Sequence, residues 1–168
     1  MRLPNAAAIA IGAAAVIVLG WSWSLERVWT LLGPPDLGPV AFETLERRTV
    51  PNDALACPEG LCRAKSDVTP PVYAVDAESL KAAMARVIAT EPDVSRVASE
   101  GLSERFVQRT RWMRFPDTLV VRYLPQGEGR ATLALYSRSQ VGKGDFGVNR
   151  ARIARWLEKL SAQVPAAR

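Results

Sequence analysis

Histidine does not occur anywhere in the 168 residues. That absence removes the commonest general base, the commonest zinc ligand and every Ser-His or Cys-His pair. Cysteine is almost as scarce. Cys57 and Cys62 are the only two, and two thiolates without an imidazole do not fill a tetrahedral zinc site. No metal and no cofactor is therefore expected. Neither cysteine closely follows the apolar N-terminal run, so there is no lipoprotein signal. Internal repeats and low-complexity runs are also missing, and the length suits one domain of ordinary size.

The longest stretch without charge is Ala6 to Leu25, "AAAIAIGAAAVIVLGWSWSL". At about 1.5 Å per residue a helix over it would reach roughly 30 Å, the thickness of a bilayer core. Arg2 and the amino terminus precede the run, and Glu26 and Arg27 cancel just after it. Positive charge stays inside, so a cytoplasmic N-terminus and an exported C-terminal domain are expected. Trp21, Trp23 and Trp29 stand where an interfacial aromatic belt belongs. A cleaved signal peptide is the rival reading, but no A-x-A follows the run. The expectation is a single-pass protein of the bacterial inner membrane whose main domain is periplasmic.

In an exported domain Cys57 and Cys62, within "ACPEGLC", read as a disulfide closing a small Pro/Gly turn. Free or redox-active thiols are the alternative, although such pairs usually have C-x-x-C spacing.

Three regions follow from the pattern. Residues 1–32 form the anchor (or signal peptide) and its flank. Residues 33–71 are a Pro-rich linker and an extended arm stapled by the cysteines. Residues 72–164 are the folded domain. Within it, "VYAV" from Val72 is a first strand candidate, and Asp76 offers an N-cap to a helix with Leu80, Met84, Val87 and Ile88 on one face. "SRVAS", "ERFVQRTRW", "DTLVVRYL" and "RATLALYSRS" then alternate with period two, joined by connections too short for crossover helices. A final helix carries Ile153, Trp156, Leu157, Leu160 and Val164 on one face, with Arg152 and Arg155 on the other. The fold class is α+β: a four- to five-stranded, mainly antiparallel sheet with two helices on one face, plus the N-terminal transmembrane helix.

Charge is uneven along this order. From Gly33 to Glu104 acids outnumber bases 12 to 7, whereas from Arg105 to Arg155 bases outnumber acids 11 to 3. An anion-binding surface is one reading, because guanidinium groups suit phosphate, sulfate and carboxylate. Two plainer ones stand beside it: the acidic half folds over the basic half, or a GC-rich genome favours Arg codons.

"VGKGDFGVNRARIARWL" contains G-x-G-x-x-G at Gly142, Gly144 and Gly147, between a strand and a helix. A dinucleotide site would need a second parallel strand after that helix, and none follows. Walker and kinase loops fail as well, since Gly144 stands where a Walker loop needs Ser or Thr. What remains is a strand-to-helix turn. It is either a geometric device capped by Asp145 or Asn149, or an anion site built from Arg138, Gly142, Lys143, Gly144, Asn149 and Arg150.

The stretch "YSRSQVGKGDFGVNRARI" and the upstream "NDALACPEGLC" resemble the bacterial and plastid family called domain of unknown function 1499. The resemblance spans about Thr49 to Leu160. It rests on Ser137, Arg138, Gly142, Asp145, Gly147, Asn149, Arg150 and Arg152. It implies an envelope or organelle protein and brings no activity with it.

The expected function is a membrane-anchored, non-catalytic module that binds an anionic envelope component or a partner protein. Arg109, Arg111, Arg122 and Arg138 are its basic strand residues. An envelope hydrolase working through Asp53, Asp67, Asp145, Ser137 and Ser139 is the alternative, but no base–nucleophile spacing supports it. Nucleic acid is not expected, because the domain is exported.

Overall fold

The computed structural model describes residues 11, 20, 21 and 24–167. Most of the expected membrane segment, Ala6 to Leu25, lies outside the described residues. Among the described residues no helix is long and apolar enough to cross a membrane. Residues 24–30 are helical.

Five strands form one antiparallel sheet: β1 (Asp53–Ala56), β2 (Val94–Glu100), β3 (Ser103–Arg109), β4 (Pro116–Pro125) and β5 (Ala131–Ser139). Their spatial order is β1-β5-β4-β3-β2, so β2 to β5 form a meander with each strand beside its sequence neighbour. Helices α1 (Ala77–Ala89) and α2 (Val148–Ser161) complete the α+β fold. Asp76 caps α1 as expected, its carboxylate accepting the Ser79 N–H at 2.8 Å. Apolar residues of both helices pack in one cluster with Phe106, Leu119, Val121, Tyr123, Leu133 and Leu135. These strand positions alternate, so one face of the sheet meets both helices.

The opposite face is covered by the preceding chain. Phe42, Leu45 and Cys57 pack on Val120, Ala134 and Tyr136, and the Leu37 N–H reaches Thr118 Oγ1 at 2.9 Å. A sheet covered on both faces explains why β4 is buried along most of its length. Cys57 and Cys62 are joined in a disulfide within this layer.

Two expectations are corrected. "VYAV" is not a strand, because Tyr73 makes only isolated bridges to Ala131 and Ala166. Pro70 and Pro71 supply no N–H before it, and Asp76 starts the helix just after it. The first strand is instead β1, which pairs with β5 from Asp53↔Arg138 to Ala56↔Leu135. The stretch "ERFVQRTRW" also stops early. β3 ends at Arg109, and the chain reverses through Arg114, whose φ is 56°.

The charge asymmetry is partly cancelled by ion pairs between distant parts of the chain. Arg105 pairs with Asp36, Arg122 with Glu43, Arg114 with Glu26 and Asp93, and Arg155 with Glu91. The acidic first half does lie over the basic second half.

Candidate functional site

Antiparallel pairing brings the ends of β3 and β5, the start of β4 and the start of α2 to one end of the sheet. The glycine loop closes this end, and a polar network holds it there. Asn149 is fully buried. Its Nδ2 donates to Asp145 Oδ2 at 2.8 Å, to Ser139 Oγ at 2.9 Å and to the Asn52 carbonyl at 3.2 Å. Its Oδ1 accepts from the Ser137 hydroxyl and from Arg152 Nη1. Arg152 Nη2 donates to Asp117 Oδ2 at 2.6 Å, an ion pair whose side chains are 4% and 2% exposed. Asn52 Nδ2 reaches the Gly142 carbonyl at 2.7 Å and ties the β1 edge to the loop. Ser137, Ser139, Asp145, Asn149 and Arg152 are each bonded to neighbours in this network, which is what makes it rigid, while the buried Asn52 Oδ1 finds no partner among the described residues.

This geometry separates the residues singled out from sequence. Ser137, Ser139, Asp145 and Asn149 meet in the network. Asp145 sits at the start of α2, with Oδ1 accepting from Gly147 N at 2.9 Å and Oδ2 from Asn149 N at 2.8 Å. Gly147 takes the N-cap position with φ 79°, a left-handed conformation that favours glycine. Asn149 therefore lies inside the first turn, and Asp145 supplies the anion that the helix end attracts. Those two amides have no capacity left for a second anion. Arg138 points the other way: Nη2 donates to the Leu37 and Gly38 carbonyls at 2.7 Å each, on the arm side of the sheet. Gly142, Lys143, Gly144 and Arg150 are exposed on the loop and the first helical turn. Asp53 and Asp67 also lie on the arm side, both bound to Arg47.

Two adjoining chambers open beside the network, and sequence reasoning pointed to neither. One, of about 280 Å³, lies between the β3–β4 corner and the glycine loop. Phe115, Val141, Phe146 and Val148 give it apolar walls, while Asp117, Ser139 and Asp145 belong to its polar side. The other, of about 230 Å³, is lined by Arg109, Arg111, Arg152 and Arg155, with Asp93 as its lining carboxylate. Thr110 and Val148 line both, so the chambers share a wall.

The cations of the second chamber differ in their commitments. Arg152 is spent on Asp117 and Arg155 on Glu91, and Asp93 is held by Arg114. Arg109 stands 3.6 Å from Glu26. Arg111 is exposed, lies over the Trp112 ring at 5.3 Å and makes no ion pair among the described residues. Gln108 contributes a buried Oε1 with no partner, its Nε2 being bound to the Pro92 carbonyl at 3.0 Å. Arg152 was expected on the exposed face of the last helix. It turns inward because Asp117 and Asn149 wait there. The clue available in the sequence was its place in the Asn-Arg-x-Arg element of the signature. Asp117 had no such clue and stood only as the first residue of the strand candidate "DTLVVRYL".

The chain before the domain docks at this same end. The Trp29 ring lies 4.6 Å from Phe115, and its Nε1 donates to the Met113 carbonyl at 2.6 Å. Glu26 accepts from Arg114 at 2.7 Å.

A family model described as "Protein of unknown function (DUF1499)" matches residues 38–160. The chain belongs to the DUF1499 family. The matched segment runs from the arm through α2 and contains the whole polar network and both chambers. No curated protein matches the chain. Membership in DUF1499 brings no activity, so function has to be argued from the chambers.

Proposed function

We propose that this DUF1499 protein is a membrane-tethered, non-catalytic module on the periplasmic side of the bacterial inner membrane. It binds an anionic envelope component in the arginine chamber. The observation that carries the reading is the chamber between β3 and α2, where Arg111, beside Arg109, Arg152 and Arg155, makes no ion pair among the described residues. The apolar N-terminal run supports the tether, and docking of residues 24–30 at the same end supports a membrane-facing chamber. The loop set first expected to hold the anion gives way to this one. Asp145 occupies the helix start, and Arg138 is bound on the opposite face.

One observation favours the hydrolase alternative: Ser139, Asp117 and Asp145 share a chamber. Their bonding argues against it. The Ser139 hydroxyl meets Asn149 Nδ2, Asp145 is held by backbone amides and Asp117 by Arg152. A nucleophile needs a base within hydrogen-bond reach, and neither carboxylate is bonded to Ser139.

The test is equilibrium binding of inorganic phosphate and glycerol phosphate to the full chain in nanodiscs of uncharged lipid. Binding that Arg111→Ala weakens about tenfold, the value of one charge-assisted contact, is the expected result. Absence of binding, or binding that Arg111→Ala and Arg109→Ala leave unchanged, overturns the reading.

A further inference from the structure

We infer that the ligand is a phosphate-monoester amphiphile, with its head in the arginine chamber and one hydrocarbon chain in the apolar chamber beside it. The inference rests on the anion reading above and adds the chemical class of the ligand. Its starting point is the shared wall. A molecule held at Arg109 and Arg111 needs only to pass Thr110 and Val148 to enter the second chamber. There it meets Phe115, Val141 and Phe146. The polar groups of that chamber ask nothing of a hydrocarbon, since Asp117, Asp145 and Ser139 are already bonded to Arg152, the α2 amides and Asn149.

The rim points to the same chemistry. Phe146 is fully exposed although its φ of 52° lies in the left-handed region, a conformation an aromatic residue seldom adopts. A strained loop that presents an aromatic ring to solvent signals a function outside the fold's own packing. Trp112 and Met113 are exposed on the facing corner, and Leu31 and Leu32 follow the helical residues docked there. Residues 24–30, which follow the apolar run in sequence, dock at this end, so a bilayer holding that run would be the nearby source of chains. The head is assigned as phosphate because Gln108 offers a buried acceptor without a donor. A singly protonated phosphate can supply that donor and a carboxylate cannot.

The experiment uses the full chain in nanodiscs of uncharged phosphatidylcholine, with empty discs subtracted. Calorimetry compares inorganic phosphate, a butyl-to-dodecyl phosphate series, dodecanoate and dodecyl maltoside. Affinity should rise about fourfold per methylene and then level off once the chamber is full. Dodecyl phosphate should exceed dodecanoate, and dodecyl maltoside should not compete. Val141→Trp, which fills the apolar chamber at a position that does not line the arginine chamber, should abolish the chain-length gain and leave inorganic phosphate unchanged. The wild-type series decides the matter even if that variant does not fold. Phosphate binding with no chain-length gain, a gain that never levels off, or equal affinity for dodecanoate overturns this inference and leaves the anion reading standing. No binding of any phosphate overturns both.

Discussion

Glu91 is a carboxylate with 1% of its side chain exposed, facing Arg155 at 2.7 Å and Lys159 at 2.6 Å. Burial alone would raise its pKa. The hydrogen bonds from Arg155 and Lys159 outweigh burial and bring it from the ordinary 4.5 to about 2. The folded state therefore holds this proton less tightly than the unfolded chain does. Its stabilisation is complete above pH 4.5 and is lost as pH falls toward 2, amounting to at most about 3 kcal/mol. Urea midpoints between pH 7 and pH 2.5 should show that loss, and Glu91→Gln should flatten it; an unchanged acid limb in the variant would assign the loss elsewhere. Asp117 and Arg152 make the sharper case, being buried together with an Nη2–Oδ2 distance of 2.6 Å. Arg152→Met strands a buried carboxylate and should cost about 3–5 kcal/mol in urea unfolding. Adding Asp117→Asn should recover part of that, because no lone charge remains. A single-variant cost below about 1 kcal/mol would mean that water already reaches the pair.

At the scale of elements, the glycine loop depends on one side chain. Asp145→Ala removes the acceptor from Gly147 N, Asn149 N and Asn149 Nδ2 together. Loss of about 1–2 kcal/mol is expected by thermal or urea unfolding, with Asp145→Asn milder. The Cys57–Cys62 bridge closes a short loop, and chain-entropy arguments give it about 2 kcal/mol, to be read from Cys57→Ala/Cys62→Ala. These features were legible because each has a local cause: an acid before a helix, two cysteines around Pro and Gly, alternation in "DTLVVRYL". Both helices and β2 to β5 were legible for the same reason. β1 was not. "DALA" has too few residues to show a period, and only pairing with Tyr136, Ser137 and their neighbours makes it a strand. The chambers were hidden too. Arg109 and Arg155 lie on elements 46 residues apart in sequence, and nothing local says that one is spoken for by Glu91. Signature residues marked the right end of the sheet, but they build the floor of the site, while its open cation, Arg111, lies outside the signature.

For the whole molecule the decisive question is whether the chain before the domain fixes its orientation. A flexible tether would let the domain tumble, and the chambers would then face the bilayer only by chance. Here residues 24–30 are held by the Trp29–Phe115 ring contact, the Trp29 bond to the Met113 carbonyl and the Glu26–Arg114 ion pair. The ring contact contributes about 0.5–1.5 kcal/mol and the hydrogen bond about 1 kcal/mol, so together they bias the docked state by tenfold or more. The partly buried Glu26–Arg114 pair adds to this bias. Docking also braces the Thr110–Arg114 reversal, whose left-handed Arg114 has its guanidinium tied to Glu26 and Asp93. Trp29→Ala should therefore release that corner while leaving the sheet intact. In nanodiscs, limited trypsinolysis should cut after Arg111 and Arg114 about tenfold faster in the variant than in the wild type, since local opening governs cleavage. Arg130, in the β4–β5 turn at the far end of the sheet, is the internal control and should be cut at the same rate in both. Equal rates at Arg111 and Arg114 would show that residues 24–30 do not hold the domain, and the proposed membrane-facing orientation of the chambers would lose its support.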